Sequence, residues 1–212
     1  MKINDRLQKI GDLVEANSFC LDVGCDHALL DIYLAMDKDC TCLALDISAS
    51  ALKGAKNNIH KYKLDKKIAI VKTDGLKDIE VNKNDYIVIS GMGTSTIKHI
   101  LGTNKLSNNL IISTHNEYDS LRAFVIKLGY KISDELFLFD KDKPYIIIKF
   151  EKGNNNYTLD DIMYGPILRY NQEYITYLKN NLKKIKRKIP FYKFRLRFII
   201  NKKIKKLSKI SS

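Results

Sequence analysis

The segment Phe19-Cys20-Leu21-Asp22-Val23-Gly24-Cys25-Asp26-His27-Ala28 concentrates more reactive chemistry than any other stretch of the 212-residue chain: an apolar run ends in one glycine, an acid and a histidine. A loop between a strand and a helix is where a doubly wound fold holds a nucleotide cofactor. A dinucleotide needs Gly-x-Gly-x-x-Gly there, because bare backbone must approach two phosphates at a helix N-terminus. In this chain Asp26 takes the place of the glycine that would face a pyrophosphate, and its charge would repel NAD or FAD. S-adenosylmethionine carries no phosphate; its ammonium and sulfonium are cationic, so acids in the loop are favourable. Asp22, Gly24, Cys25, Asp26 and His27 are therefore the first candidate cofactor contacts, with Asp26 and His27 also the candidate catalytic pair. A structural alternative makes Asp26 the N-cap of the following helix.

Further acids extend the pattern. Asp46-Ile47 ends the apolar run Leu43-Ala44-Leu45, where an acid can accept hydrogen bonds from a ribose diol, cap the next helix, or do both. Asp74-Gly75-Leu76 follows a third run and can reach an adenine amino group. Ser90-Gly91-Met92-Gly93 follows a fourth. Its two glycines leave backbone groups open to a methyl donor and an incoming base, or simply form a turn. The Asn/Asp-Pro-Pro-aromatic turn typical of enzymes that methylate exocyclic adenine nitrogens is absent from this place. The acids fall at the carboxyl ends of successive strands, the edge at which a doubly wound sheet binds ligands.

Period-2 and short apolar runs predict strands at 18–23, 41–46, 67–72, 85–90, 109–114, 131–139 and 145–151, and helical periodicity predicts helices within 3–16 and at 28–36, 48–61, 94–101 and 117–128. Alternation of this kind implies an α/β, Rossmann-like, doubly wound and mainly parallel seven-stranded sheet. The last two strands have only residues 140–144 between them, which predicts an antiparallel hairpin closing the sheet. The polar stretch Lys152-Gly153-Asn154-Asn155-Asn156 marks a boundary between domains at 1–155 and 156–212. Beyond it, Ile167, Tyr170, Tyr174, Leu178, Leu182, Ile185 and Ile189, then Leu196, Ile200, Ile204, Leu207 and Ile210 after Pro190, predict a coiled-coil-like helical hairpin.

Charge separates the two parts. Residues 179–212 hold 14 Lys and Arg and no acid, whereas the rest of the chain holds 23 basic and 24 acidic residues, so the net +13 belongs to the end of the chain. Such an excess fits a polyanion partner. Lys183, Lys184, Arg187, Lys188, Arg195 and Arg197 are its candidate contacts. Phe191, Tyr192, Phe194 and Phe198, interleaved with them, can stack on bases or pack between the two helices; packing is the expected use. The four cysteines, at 20, 25, 40 and 42, have neither Cys-x-x-Cys pairing nor a Cys/His metal framework, so buried thiols and no metal are expected. No run of about 18 apolar residues and no apolar leader are present, and a soluble, cytoplasmic, membrane-free protein is expected.

Together, the Asp22-Val23-Gly24-Cys25-Asp26-His27-Ala28 loop, Asp74-Gly75-Leu76, Ser90-Gly91-Met92-Gly93, and Gly165-Pro166 opening the helical part resemble the bacterial tRNA (adenine-22-N1)-methyltransferase family, from the first helix to about Leu182. That family's loop usually reads Asp-Ile-Gly-Ser-Asp-His-Ala-Tyr, so Cys25 and Leu29 depart from it. Its Gly-Met-Gly-Gly is Gly-Met-Gly-Thr here, and Ser113-Thr114-His115-Asn116 replaces a Gln-Pro-Asn. The resemblance implies a class I methyltransferase fold, S-adenosyl-L-methionine as cofactor, and methyl transfer to N1 of an adenine in tRNA. With such a substrate, the basic hairpin is the expected tRNA-binding part and Asp26 the candidate carboxylate for charge developing on the base; His115, Asn116 and Tyr145, at strand ends or in loops near the same sheet edge, can stack on or hydrogen-bond that base or serve only the fold. A monomer is expected. Two alternatives keep other parts of the reading: a class I methyltransferase acting on another RNA or a small molecule, and a non-catalytic RNA-binding protein.

Overall fold

The computed structural model describes residues 3–210. Helix α1 (Asp5–Asp12) precedes β1 (Phe19–Val23), and α2 (Leu29–Asp37), β2 (Thr41–Asp46), α3 (Ala49–Lys61) and β3 (Ile68–Lys72) follow in alternation. A loop reaches β4 (Tyr86–Ser90), after which α4 (Thr94–Thr103), β5 (Asn109–Thr114), α5 (Tyr118–Lys127), β6 (Tyr130–Asp140) and β7 (Lys143–Lys152) complete the sheet and its covering helices. The strand order is β3-β2-β1-β4-β5-β7-β6. β1 to β5 pair in parallel and β7 runs antiparallel to both β5 and β6. The central strands are apolar without interruption, with Ile87, Val88 and Ile89, Leu110, Ile111 and Ile112, and Ile146, Ile147 and Ile148 all fully buried. Continuous apolar runs suit strands covered on both faces.

This is the α/β, Rossmann-like, mainly parallel seven-stranded sheet that the alternation predicts. The connection between β6 and β7 is tighter than the expected 140–144. Both strands run on to a two-residue turn, Lys141-Asp142, whose φ values of 48° and 63° give the primed geometry that matches strand twist.

Strand order reverses at β1, with β2 and β3 added on one side and β4 and β5 on the other, so the carboxyl ends of β1 and β4 open a crevice at the topological switch point. Helix α1 is pinned beside it. Tyr33 Oη donates to Asp12 Oδ1 at 2.9 Å, and Lys38 Nζ donates to the carbonyls of Gly11, at 2.9 Å, and Val14 at the end of the helix. Gly11 permits this close approach, since a Cβ there would lie 2.6 Å from the Tyr33 ring.

The chain divides into two compact units between Asn155 and Asn156. The second contains α6 (Leu159–Tyr164), a 3-10 turn (Leu168–Tyr170), α7 (Gln172–Lys188) and α8 (Phe194–Ile210). Helical periodicity from Ile167 overestimates α7, and α6 was not expected. A capping box starts α6: Thr158 Oγ1 accepts from Asp161 N–H while the Asp161 carboxylate accepts from Thr158 N–H. Gly165, at φ 86°, ends it, and Asn171 Oδ1 accepts from Tyr174 N–H at 2.9 Å to start α7 afresh. The seam of the hairpin holds Tyr174, Leu178 and Leu182 on α7 with Ile200, Ile204 and Leu207 on α8, all buried or half-buried. Tyr170, Ile185 and Leu196, expected in that seam, are exposed, as are all four aromatics expected to pack between the helices.

Candidate functional site

The loop between β1 and α2 turns sharply because three of its residues take positive φ: Gly24 at 82°, Asp26 at 50° and Ala28 at 55°. Two of these carry side chains, and that conformation costs a non-glycine residue roughly 1–3 kcal/mol, so the surroundings must hold it. They do so through hydrogen bonds. Leu45 O accepts from Gly24 N–H and Cys25 N–H at 2.8 and 3.0 Å, Cys25 O accepts from Ala28 N–H at 2.8 Å, and His27 O accepts from Asn58 Nδ2 at 3.0 Å. Asp46 completes the set, with Oδ2 accepting from Asp26 N–H at 3.1 Å and Oδ1 from Ser48 N–H at 2.8 Å. Ser48, not Asp46, is the N-cap of α3, and Ala28, not Asp26, occupies that position on α2. Gly24 has a second constraint, for a Cβ would come 2.4 Å from Met92 Cε.

A cavity of about 440 Å³ lies over this loop, lined by Asp22, Gly24, Cys25, Asp26, His27, Asp46, Ser90, Gly91 and Met92 together with Arg6 and Leu7 of α1. A second, of about 140 Å³, shares Gly24, Asp46 and Met92 with it and adds Ile47, Thr73, Asp74, Gly75, Thr96 and Ile100. The two form one cleft along the carboxyl edge of β1 to β4. Most of the expected cofactor contacts thus converge. Leu76 and Gly93 do not: Leu76 is 2% exposed in the core, and Gly93 serves as N-cap of α4.

The floor and the rim of the cleft differ in electrostatics. Asp22 is 3% exposed and its Oδ1 has no hydrogen-bond partner. Burial pushes its carboxyl up to about 7, opposed by interaction with Asp31 and the Arg6 charge. Asp31, fully buried in α2, is also raised well above the usual carboxyl range, first by burial and then by the Asp22 charge, and neither of its oxygens has a partner in hydrogen-bonding geometry. Two carboxyls so placed do not both ionise at neutral pH. Burial and the surrounding acids also push the Cys25 thiol up, so it lines the cleft as a neutral group, and all four cysteines are buried and free. At the rim, Asp26 and His27 are open to solvent, with Asp26 Oδ1 3.7 Å from His27 Nε2.

Arg6 joins floor to rim. Its Nε donates to Asp140 Oδ2 at 3.2 Å, its guanidinium lies 4.8 Å from the Tyr145 ring centroid, and its Nη1 is buried without a partner. Tyr145 in turn makes an edge-to-face contact with exposed His115 at 5.9 Å. The expected base contacts Tyr145 and His115 are therefore one cluster, linked by Arg6 to the cleft. Asn116 is tied elsewhere: its carbonyl and Oδ1 accept from Thr94 Oγ1 at 2.9 and 3.2 Å, closing the end of β5 onto α4.

The first 155 residues correspond closely to a family model for a methyltransferase domain, which matches residues 3–148. A curated relative, the tRNA (adenine(22)-N(1))-methyltransferase of Bacillus subtilis, is 30% identical over 179 residues, covering 79% of this chain and 75% of its own. The chain belongs to this methyltransferase family. Solved structures agree in fold: TrmK of M. capricolum in complex with S-adenosyl-homocysteine is 28% identical, with a TM-score of 0.84 over 99% of this chain and 97% of its own. A Streptococcus pneumoniae protein in complex with S-adenosyl-L-methionine is 25% identical, with a TM-score of 0.87 over all of both chains. Two residues of this family member escaped the motif reading. Arg6 sits in a helix legible only as amphipathic, and Asp31 was visible as one acid inside the apolar run Leu29-Leu30-Asp31-Ile32-Tyr33-Leu34.

In the second unit, Lys183, Lys184, Arg187, Lys188 and Arg195 are exposed. Arg197 is half-buried and structural, its Nη1 donating to Lys186 O and Ile189 O at 3.2 and 2.9 Å across the end of α7. Among the described residues no cluster of His, Cys, Asp and Glu has the makings of a metal site, and no helix is long and apolar enough to cross a membrane.

Proposed function

We propose that this protein transfers a methyl group from S-adenosylmethionine to N1 of adenine 22 in tRNA. Family membership supports the reaction, and one observation carries the assignment of the cleft. Two buried atoms of opposite character, Arg6 Nη1 and Asp22 Oδ1, lack hydrogen-bond partners, and both residues line the same cavity. Leaving buried polar atoms unsatisfied is expensive, even on a guanidinium whose Nε is already paired with Asp140, so a ligand that satisfies both at once is favoured. The α-amino acid end of S-adenosylmethionine does so, its carboxylate toward Arg6 and its ammonium toward Asp22. The smaller cavity, with Asp46, Ile47, Asp74 and Gly75, then takes the adenosine end, where Asp46 accepts from the ribose hydroxyls.

When bound, the cofactor supplies an electrophilic methyl on a sulfonium. Neutral adenine N1 has a lone pair and no proton, so the chain needs no strong base; its task is alignment, a source of up to roughly 7–11 kcal/mol in favourable systems. The product base is cationic, and exposed Asp26 at the rim is the carboxylate placed to stabilise that charge, with His27 beside it. N1 lies on the pairing edge, so the base must leave its stack before it reacts, at a cost of a few kcal/mol. Tyr145 and His115 offer it a surface next to the cleft. Lys183, Lys184, Arg187, Lys188 and Arg195 of residues 156–212 contact tRNA phosphates, and recognition rests on tRNA shape. The protein acts as a monomer in the cytoplasm. Labelled S-adenosylmethionine offered with unmodified tRNA and with ribosomal RNA tests the substrate class: label enters tRNA alone, and equal labelling of ribosomal RNA would overturn the assignment.

A further inference from the structure

Four aromatic rings stand in water at one end of the helical hairpin. Phe191 and Tyr192 lie in the turn between α7 and α8, and Phe194 and Phe198 follow one helical turn apart on α8; they are 88%, 74%, 69% and 69% exposed. Each such ring offers on the order of 150–250 Å² of surface that burial would stabilise. The same helix does bury Leu207, so the hairpin has a core and these rings are outside it. Single exposed apolar residues on a surface are ordinary, but four exposed rings within the eight residues 191–198 mark a place where a partner sits.

Charge identifies the partner. No acid occurs after Glu173, and Lys188, Lys193 and Arg195 flank the rings. A partner that offers negative charge and flat π faces at alternate positions is RNA with unpaired bases, for which stacking on aromatics beside a basic track is the common mode of binding. The surface is also held in place. Arg197 donates across the end of α7 to Lys186 O and Ile189 O, and its guanidinium lies 6.0 Å from the Phe191 ring centroid, fixing the turn that presents Phe191 and Tyr192. A fixed turn loses less conformational freedom on binding than a mobile one.

We propose that Phe191, Tyr192, Phe194 and Phe198 form a platform on which unpaired bases of the tRNA stack while the neighbouring cations engage its phosphates. This rests on tRNA being the substrate, and it adds a contact that reads exposed bases rather than charge alone.

The chain has no tryptophan, so Tyr192→Trp places a single reporter on the platform. Its emission is quenched by tRNA and by a single-stranded oligonucleotide and is unchanged by blunt duplex RNA at concentrations that bind. Phe191→Ala with Tyr192→Ala weakens tRNA binding by about 30-fold or more, two stacks of at least roughly 1 kcal/mol each, while the slope of log affinity against log salt stays that of the unmodified chain. Lys183→Ala with Lys184→Ala does the opposite to the slope, lowering it by roughly 1.4–1.8. Cofactor affinity, measured on the same proteins, reports that the other unit is folded. Unaltered tRNA affinity in the aromatic variant, or a slope that falls with the affinity, would overturn the platform and leave the substrate intact. If the variant instead loses self-association or binding to anionic vesicles while keeping tRNA affinity, the surface serves another partner and the proposal fails. An unmodified chain that binds no tRNA would overturn the substrate assignment itself, and the platform with it.

Discussion

Cofactor affinity should rise with pH through neutrality, and Asp22 should be the reason. Its carboxyl, lifted by burial to about 7, is half protonated in the free protein at neutral pH, yet the proposed contact with an ammonium requires the ionised form. The sign follows directly: protonation competes with the ligand, so affinity is reduced by the fraction of Asp22 that is neutral. For a group titrating near 7 the ionised fraction is about one tenth at pH 6 and about nine tenths at pH 8. Affinity therefore climbs about tenfold over that interval and levels off above it. Calorimetry with S-adenosylhomocysteine, whose ammonium stays protonated across this range, at pH 6, 7 and 8 in buffers of different ionisation heat reads both the affinity and the roughly half proton released at pH 7. Asp22→Asn removes the slope and, at pH 8, weakens binding by about 10- to 150-fold, the worth of one charge-assisted hydrogen bond of roughly 1.5–3 kcal/mol. A flat profile in the unmodified protein, or the same slope in the Asn variant, would refute the reasoning.

Arg6→Met should weaken S-adenosylhomocysteine binding at pH 8 by a similar factor and, because the Arg6 charge lowers the Asp22 carboxyl, move the midpoint of the pH profile above 7; both are read in the same titrations. Asp46→Ala should raise the cofactor dissociation constant at least tenfold while tRNA affinity by filter binding stays within about twofold, since the lost acceptor also holds Asp26 N–H and Ser48 N–H in the cofactor loop. Arg122→Met leaves Glu135 buried without the guanidinium that now lies 2.6 Å away. A loss of about 3–5 kcal/mol, or roughly 6–20 °C in Tm for a chain of this size, is expected by thermal melting, with cofactor affinity kept below the transition.

The sheet was legible because its determinants are local. Strands 41–46 and 109–114 coincide with β2 and β5 to the residue, and the chain of acids after successive strands gave the cleft its position. Asp22, Asp46, Asp74 and Met92 meet because parallel strands in register bring their ends to one edge. Arg6 was not legible as a site residue, because only the docking of α1 through Tyr33 and Lys38 carries it to the cleft. Leu76 and Gly93 belong to motifs whose neighbours line the cleft, yet the backbone turns one side chain into the core and makes the other residue a helix cap. Periodicity likewise extended the hairpin seam to Tyr170, which lies before the start of α7. It registers spacing along a helix, whereas the start of α7 is set by the Asn171 cap.

The most direct test is nucleoside mapping by mass spectrometry, with primer extension, of an unmodified tRNA transcript incubated with the protein and S-adenosylmethionine. One N1-methyladenosine at position 22, absent when that adenine is changed to guanine, is the expected result. Methylation elsewhere, or undiminished label in the guanine transcript, would contradict it.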